Sequence, residues 1–213
     1  MSHSRSLAMR ARLPLLALLL PAMLSGCFSI GGDKTKLEVY APRVDLKADA
    51  AWPSLKATLA IGEPTASTAL DSNRIAVRPA PGRLQVYAGA IWSDNAPVLV
   101  QSALVSGFGQ SDRFTSVTRP TSDVAADLLL QLDLRQFEAV YSNDASAPTV
   151  VIELQATLID QRKQQVLGTR TVRIEQASEK KELREVVPMF ESALTQAAAT
   201  LVPWVLEKGA ASR

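Results

Sequence analysis

Side chains that could carry out chemistry are scarce in this sequence. The only histidine is His3 and the only cysteine is Cys27, so the 186 residues from Phe28 onward contain neither an imidazole nor a thiol. A Cys/His metal site, a disulfide framework and a Ser-His-Asp or Cys-His triad are therefore excluded from that part of the chain. Neither a Gly-x-Ser-x-Gly motif nor a glycine-rich phosphate loop stands out. We expect no enzyme, with no catalytic residue, metal or cofactor.

Residues 1–26 have the layout of a secretory signal peptide. Three arginines lie within the first 12 residues, and a twelve-residue apolar run from Leu13 to Leu24 follows them. This run is far shorter than the roughly 20 residues that cross a hydrocarbon core. The segment therefore predicts export followed by cleavage and not a transmembrane helix.

The four residues Leu24-Ser25-Gly26-Cys27 resemble the bacterial lipobox. The resemblance implies cleavage before Cys27 and attachment of a diacylglycerol and an N-acyl chain such as palmitate to that residue. Each buried CH2 contributes about 0.8 kcal/mol, so two or three chains would hold the protein at a membrane. In such lipoproteins an Asp after the cysteine favours the inner membrane; here Phe28 follows, so we expect the outer membrane, on its periplasmic face. Residues 27–36 predict a lipidated cysteine with a flexible tether.

The charge of the chain argues against a nucleic-acid partner. The sequence contains 23 Lys and Arg residues against 21 Asp and Glu residues, a net charge of +2. Arg5, Arg10 and Arg12 all precede residue 27, and subtracting them leaves 20 basic against 21 acidic residues, or about −1. Binding to DNA or RNA would need a basic face on the folded domain.

One domain is predicted over residues 37–208, because the chain after the tether is of single-domain size. Hydrophobic periodicity predicts its strands and helices. The stretches 128–135 and 150–158 each alternate between an apolar and a mostly polar face, as in an antiparallel sheet with one buried face. A polar turn and a third strand complete a meander, and Pro79-Ala80-Pro81-Gly82 predicts a hairpin turn. The third strand of the meander is predicted at 166–175, and the other strands at 37–40, 55–61, 74–78, 84–88 and 114–117.

Two helices are predicted to pack on this sheet. The first covers residues 98–108 and is expected to end at Gly107 and Gly109. The second carries an apolar stripe over residues 183–205 at spacings of three and four, with Pro188 in its first turn and Pro203 at a late kink. The order of the elements predicts an α+β fold, an α/β sandwich with a mixed, mainly antiparallel sheet.

The segment from Leu84 to Pro97 carries a resemblance to a known family. A strand runs through Tyr87 into Trp92, and a short acidic linker, a proline and a helix follow. Together with the order and spacing of the meander strands, this segment resembles the ABC-type transport auxiliary lipoproteins, over about residues 24–207.

The resemblance implies an adaptor without chemistry of its own. Its partners would be a Mce-domain protein and the ABC transporter that moves lipids between the inner and outer membranes, and a ring of identical subunits is also implied. Trp92 is either a core aromatic or, with Asp94 and Pro97, a residue of the face that docks the partner. Two other functions remain open, a lipid carrier that shelters acyl chains itself and a hydrolase for which no carboxylate can be nominated.

Overall fold

The computed structural model describes residues 36–121, 124–142 and 146–212. Cys27, the signal peptide over residues 1–26 and most of the tether lie outside the described residues, so what the sequence predicts for them stays a prediction. From Leu37 onward the chain forms one compact unit.

Nine strands and two helices make up the described residues, and all the strands join one sheet. The strands are β1 (Glu38–Tyr40), β2 (Leu55–Ile61), β3 (Thr65–Ala66), β4 (Arg74–Ala80), β5 (Arg83–Trp92), β6 (Phe114–Thr118), β7 (Leu128–Val140), β8 (Thr149–Asp160) and β9 (Gln165–Ala177), and the helices are α1 (Ala96–Gln110) and α2 (Leu183–Ala211).

The long strand β7 organises the sheet. One of its edges pairs antiparallel with β8 along its whole length, and β8 pairs antiparallel with β9, which gives the predicted meander. The other edge pairs parallel with β2, β3 and β4 in succession. Strand β6 extends the sheet beyond β2, while β5 and then β1 extend it beyond β4. The prediction of an α+β fold with a mixed, mainly antiparallel sheet is confirmed.

Both helices cover the face of the sheet to which the alternating leucines of β7 point. These leucines are almost fully buried because every second side chain of a strand lies on the same face. The predicted stripe of α2 packs on the same face, mainly over β8 and β9, and α1 lies beside α2, β6 and β2. The fully buried residues of α2 are Val186, Phe190, Ala193, Leu194, Ala197, Ala198, Leu201, Val202 and Val205.

Two details of the predicted helices are wrong. Helix α1 continues through Gly107 and Gly109 and ends at Gln110. The reason is packing, because Gly107 gives room to a close neighbour on α2 that a side chain would exclude. Helix α2 begins at Leu183, so Pro188 is its sixth residue and lies beyond the first turn.

Candidate functional site

The segment that joins β5 to α1 is held by backbone hydrogen bonds on both sides. The N–H of Trp92 donates to the carbonyl oxygen of Asn73 at 2.8 Å, and the N–H of Ser93 donates to the carbonyl oxygen of Tyr40 at 2.8 Å. The end of β1 and the loop before β4 therefore fix the linker between strand and helix.

Trp92 is buried, with 1% of its surface exposed. Its ring lies 5.5 Å from that of Phe137 on β7 and 5.0 Å, edge-on, from that of Phe190 on α2. Such tilted and edge-on contacts are the favoured geometries of aromatic pairs. Pro97 is also buried, in the first turn of α1. Trp92 thus makes the contacts of a core aromatic, and neither side chain reaches the surface.

Asp94 is the one docking candidate that the structure places on the surface. Its Oδ1 accepts a hydrogen bond from the N–H of Asn95 at 2.9 Å. The side chain borders a cleft of about 330 Å³ between the linker, α1 and the segment 41–44. Arg43 stands in the same lining, so the cleft combines a carboxylate and a guanidinium with the hydroxyls of Ser102 and Ser106.

Both helices hold the segment that forms the other wall of this cleft. The N–H of Arg43 donates to Oε1 of Glu191 on α2 at 3.1 Å. On α1, Oε1 of Gln110 accepts from the N–H of Leu46 at 2.7 Å, and Nε2 of Gln110 donates to the carbonyl oxygen of Val44 at 2.9 Å. The two helices thereby position Arg43 next to the cleft.

The sequence did not predict this wall. The buried Val44 and Leu46 alternate with the exposed Asp45 and Lys47, but this segment forms no strand, so the alternation does not show its contacts with α1 and α2. One signal was present in α1, where Ser102, Ser106 and Gln110 follow each other at intervals of four residues and so share one face of the helix.

The cleft offers hydrogen bonds and opposite charges and no cluster of metal ligands. Within the described ranges, no three His, Cys, Asp or Glu side chains come together in a way that could hold a metal ion. In the same part of the chain, no helix is both long and apolar enough to cross a membrane.

Comparison with known proteins gives a family and a fold. The model of the ABC-type transport auxiliary lipoprotein component family matches residues 39–202. The crystal structure of protein XCC0632 from Xanthomonas campestris is 36% identical, with a TM-score of 0.77, over 82% of this chain and 97% of that chain. A second crystal structure, of an uncharacterized protein, is 16% identical with a TM-score of 0.63 and shares the fold, over 80% of this chain and 99% of that chain.

A curated relative extends beyond the matched region. An uncharacterized protein of Bradyrhizobium diazoefficiens, bll6063, is 30% identical over 177 residues, which are 83% of this chain and 47% of that protein. The chain thus spans about half the length of this relative.

Proposed function

This chain belongs to the ABC-type transport auxiliary lipoprotein family, and from that membership we propose that it is the lipid-anchored adaptor of a Mce-type ABC transport system that moves lipids between the inner and outer membranes. The observation that carries the proposal is the family match over residues 39–202. The lipobox-like Leu24-Ser25-Gly26-Cys27 supports anchoring through acylated Cys27, and Phe28 after it favours the periplasmic face of the outer membrane.

The filled interior favours an adaptor over a lipid carrier. A carrier would hold acyl chains between the sheet and the helices, where this protein packs its own side chains, among them the fully buried Phe108, Phe137 and Phe190. Open surface clefts measure about 330, 360 and 150 Å³. Pockets for drug-sized ligands measure about 300–1,000 Å³. A phospholipid with two acyl chains is larger than such a ligand, so clefts of this size are too small to enclose it.

We place the docking surface for the Mce-domain protein at the cleft beside Asp94. Its opposite charges, Asp94 and Arg43, would set the orientation of the partner, as charged groups do at protein interfaces. Trp92 and Pro97 contribute indirectly, because they are buried and fix the linker that carries Asp94.

A binding experiment with matched variants tests this proposal. The acylated protein in detergent is mixed with the purified Mce-domain protein of the same organism, and the dissociation constant is measured for the wild type, Asp94→Lys and Glu179→Lys. Glu179 is an exposed carboxylate between β9 and α2 and serves as the control. We expect weaker binding for Asp94→Lys only. Absence of binding by the wild type would contradict the adaptor role, and equal binding by all three proteins would contradict the docking surface.

The mass of the same purified sample reports on self-association. A ring of identical subunits would give a multiple of the protomer mass in the absence of the partner. A protomer mass alone would contradict a ring that forms without the partner.

A further inference from the structure

The sheet face of β1 and β5 that the helices leave free is apolar. Four large apolar side chains on or next to these strands are exposed: Leu37, just before β1, by 54%, Val39 by 59%, Leu84 by 40% and Val86 by 45%. Single exposed apolar residues are ordinary, whereas a group on one face marks an interaction site. We call these four residues the β1–β5 apolar face.

The strand register places these four side chains on the same side of the sheet. Val39 lies opposite Ile91 in the pairing of β1 with β5, and Ile91 lies opposite Arg74 in the pairing of β5 with β4. Val86 lies opposite Ala76, two residues after Arg74. Directly opposite residues share a face, as do residues two apart on one strand. Ile91, Val39 and Val86 therefore point the same way.

A change in alternation makes this arrangement possible. Val86 and Ile91 are five residues apart, so regular alternation would place them on opposite faces. Gly89, with a φ of 71°, lies between them, where the pairing of β4 with β5 shifts its register. Strand β5 advances five residues there while β4 advances two, so β5 carries three extra residues, an odd number that changes the alternation. A residue in this left-handed conformation is common at such an irregularity. The face opposite Ile91 is that of Trp92, which packs on α2.

The direction of β1 connects this face to the anchor. Strand β1 runs parallel to β5, so the chain enters the domain from the side on which the β4–β5 hairpin turn, Pro81-Gly82, lies. Ten peptide units separate Cys27 from Leu37, and at 3.3–3.6 Å each they reach at most about 36 Å. An acyl anchor on Cys27 would thus keep the face close to the bilayer, at a high effective concentration.

Charge around the face complements a phospholipid surface. Arg74, on the same side of the sheet, and Arg83, at the start of β5, are both exposed. Basic residues near an apolar surface are attracted to anionic headgroups. The Asp94 cleft lies at the other end of β5 from Arg83, and its lining begins at Ala41, two residues after Val39.

We propose that the β1–β5 apolar face lies on the lipid bilayer that holds acylated Cys27. The contact gives the domain a fixed orientation on the membrane. This inference rests on the anchor of the proposed function, because the tether supplies the proximity that makes a small apolar face sufficient.

Single-cysteine labelling of the acylated full-length mature protein tests the contact. Acylation consumes the thiol of Cys27, the only cysteine in the sequence, so an introduced cysteine is the only free thiol. Val39→Cys and Val86→Cys carry an environment-sensitive fluorophore in vesicles of phosphatidylethanolamine and phosphatidylglycerol that contain a nitroxide-labelled lipid. Val166→Cys on β9 is the matched control, because Val166 is 57% exposed and Val39 is 59% exposed.

We expect nitroxide quenching several-fold stronger at positions 39 and 86 than at position 166. Equal, weak quenching at all three positions in protein that floats with the vesicles overturns the inference and leaves the anchor intact. If the fluorophores at positions 39 and 86 report shielding from water but are not quenched by the nitroxide, the inference is also overturned, because a protein and not lipid then covers the face. Failure of the protein to float with the vesicles would contradict the anchor of the proposed function. In that case the labels would not be quenched because the protein is not on the membrane. Leu37→Cys and Leu84→Cys repeat the measurement if either first variant fails to fold.

Discussion

Gly107 of α1 lies directly against Ala198 of α2. A Cβ atom on Gly107 would be 2.9 Å from the Cβ of Ala198 and 3.1 Å from Cγ1 of Val44. Ala198 is fully buried and its Cβ is fixed to the helix backbone, so it has no rotamer by which to move away. The missing side chain at position 107 therefore sets the spacing of the two helices and the place of the segment that borders the Asp94 cleft.

Gly107→Ala is expected to destabilise the protein. Alanine favours a helix over glycine by about 1 kcal/mol, but overpacking a rigid contact costs about 1–3 kcal/mol, and here the closer contact is a Cβ fixed to the backbone of α2. We expect the unfolding midpoint in a thermal melt to fall by a few degrees.

Gly109→Ala in the same helix is the control for that experiment. A Cβ at Gly109 would meet nothing within 4 Å, so only the gain in helix propensity remains and the melting temperature should rise slightly. A rise for both variants would show that the close contact at Gly107 has no energetic weight.

The pair of Arg78 and Glu138 is expected to be the costliest ion pair to break. Arg78 donates from Nε and Nη2 to the two carboxylate oxygens of Glu138 at 2.9 and 3.0 Å, and the Glu138 side chain is only 2% exposed. Arg78→Met leaves a buried carboxylate without its cation, which costs about 3 kcal/mol. Urea unfolding measures the loss.

Arg135→Met is the matched comparison, because Arg135 on β7 also forms an ion pair with a carboxylate. Arg135 pairs with Asp133 at 3.2 Å, but both side chains are more than 40% exposed, and exposed pairs contribute about 0–1 kcal/mol. The double variant Arg78→Met/Glu138→Met should recover most of the lost stability, because it removes the buried charge as well. Equal losses for the two arginine variants would contradict this assignment.

Stability in acid is expected to depend on Asp160 at the β8–β9 turn. Its Oδ1 accepts hydrogen bonds from the N–H groups of Lys163 at 2.9 Å and Arg162 at 3.0 Å. The bond from Lys163, and after it that from Arg162, lowers the pKa of Asp160 below its ordinary value of 3.8, against an opposing effect of burial. A lowered pKa in the folded state means that the stabilisation is complete above the ordinary value and is lost as the pH falls below it.

Asp160→Asn isolates this contribution. We expect the variant to be less stable than the wild type at neutral pH and the two melting temperatures to converge as the pH falls below the ordinary pKa of 3.8, since protonation removes the charge in the wild type. A difference in melting temperature that stays constant with pH would contradict a role for the charge.

The strands and helices could be predicted from the sequence better than the pairing of the strands in the sheet. The alternating leucines from Leu128 to Leu134 identify β7 and its buried face because a strand with one buried face has an apolar residue at every second position. Nothing in that period tells that the second edge of β7 pairs with three short strands. Strand β3, only Thr65–Ala66, was missed because two residues are too few to show alternation.

The candidate site shows the same division. The order of a strand, an acidic linker, a proline and a helix places Asp94 at the mouth of the cleft, and this order is visible along the chain. Burial of Trp92 depends on Phe137 and Phe190, which lie 45 and 98 residues further on. Long-range packing of this kind has no signature near Trp92, so the sequence left both of its roles open.

Native mass spectrometry of the acylated protein with its purified Mce-domain partner tests the central claim most directly. The account predicts a complex of the two proteins whose mass contains the acyl groups of Cys27 and no additional phospholipid. A stoichiometric phospholipid retained by the protein alone, together with no complex, would contradict an adaptor and indicate a carrier.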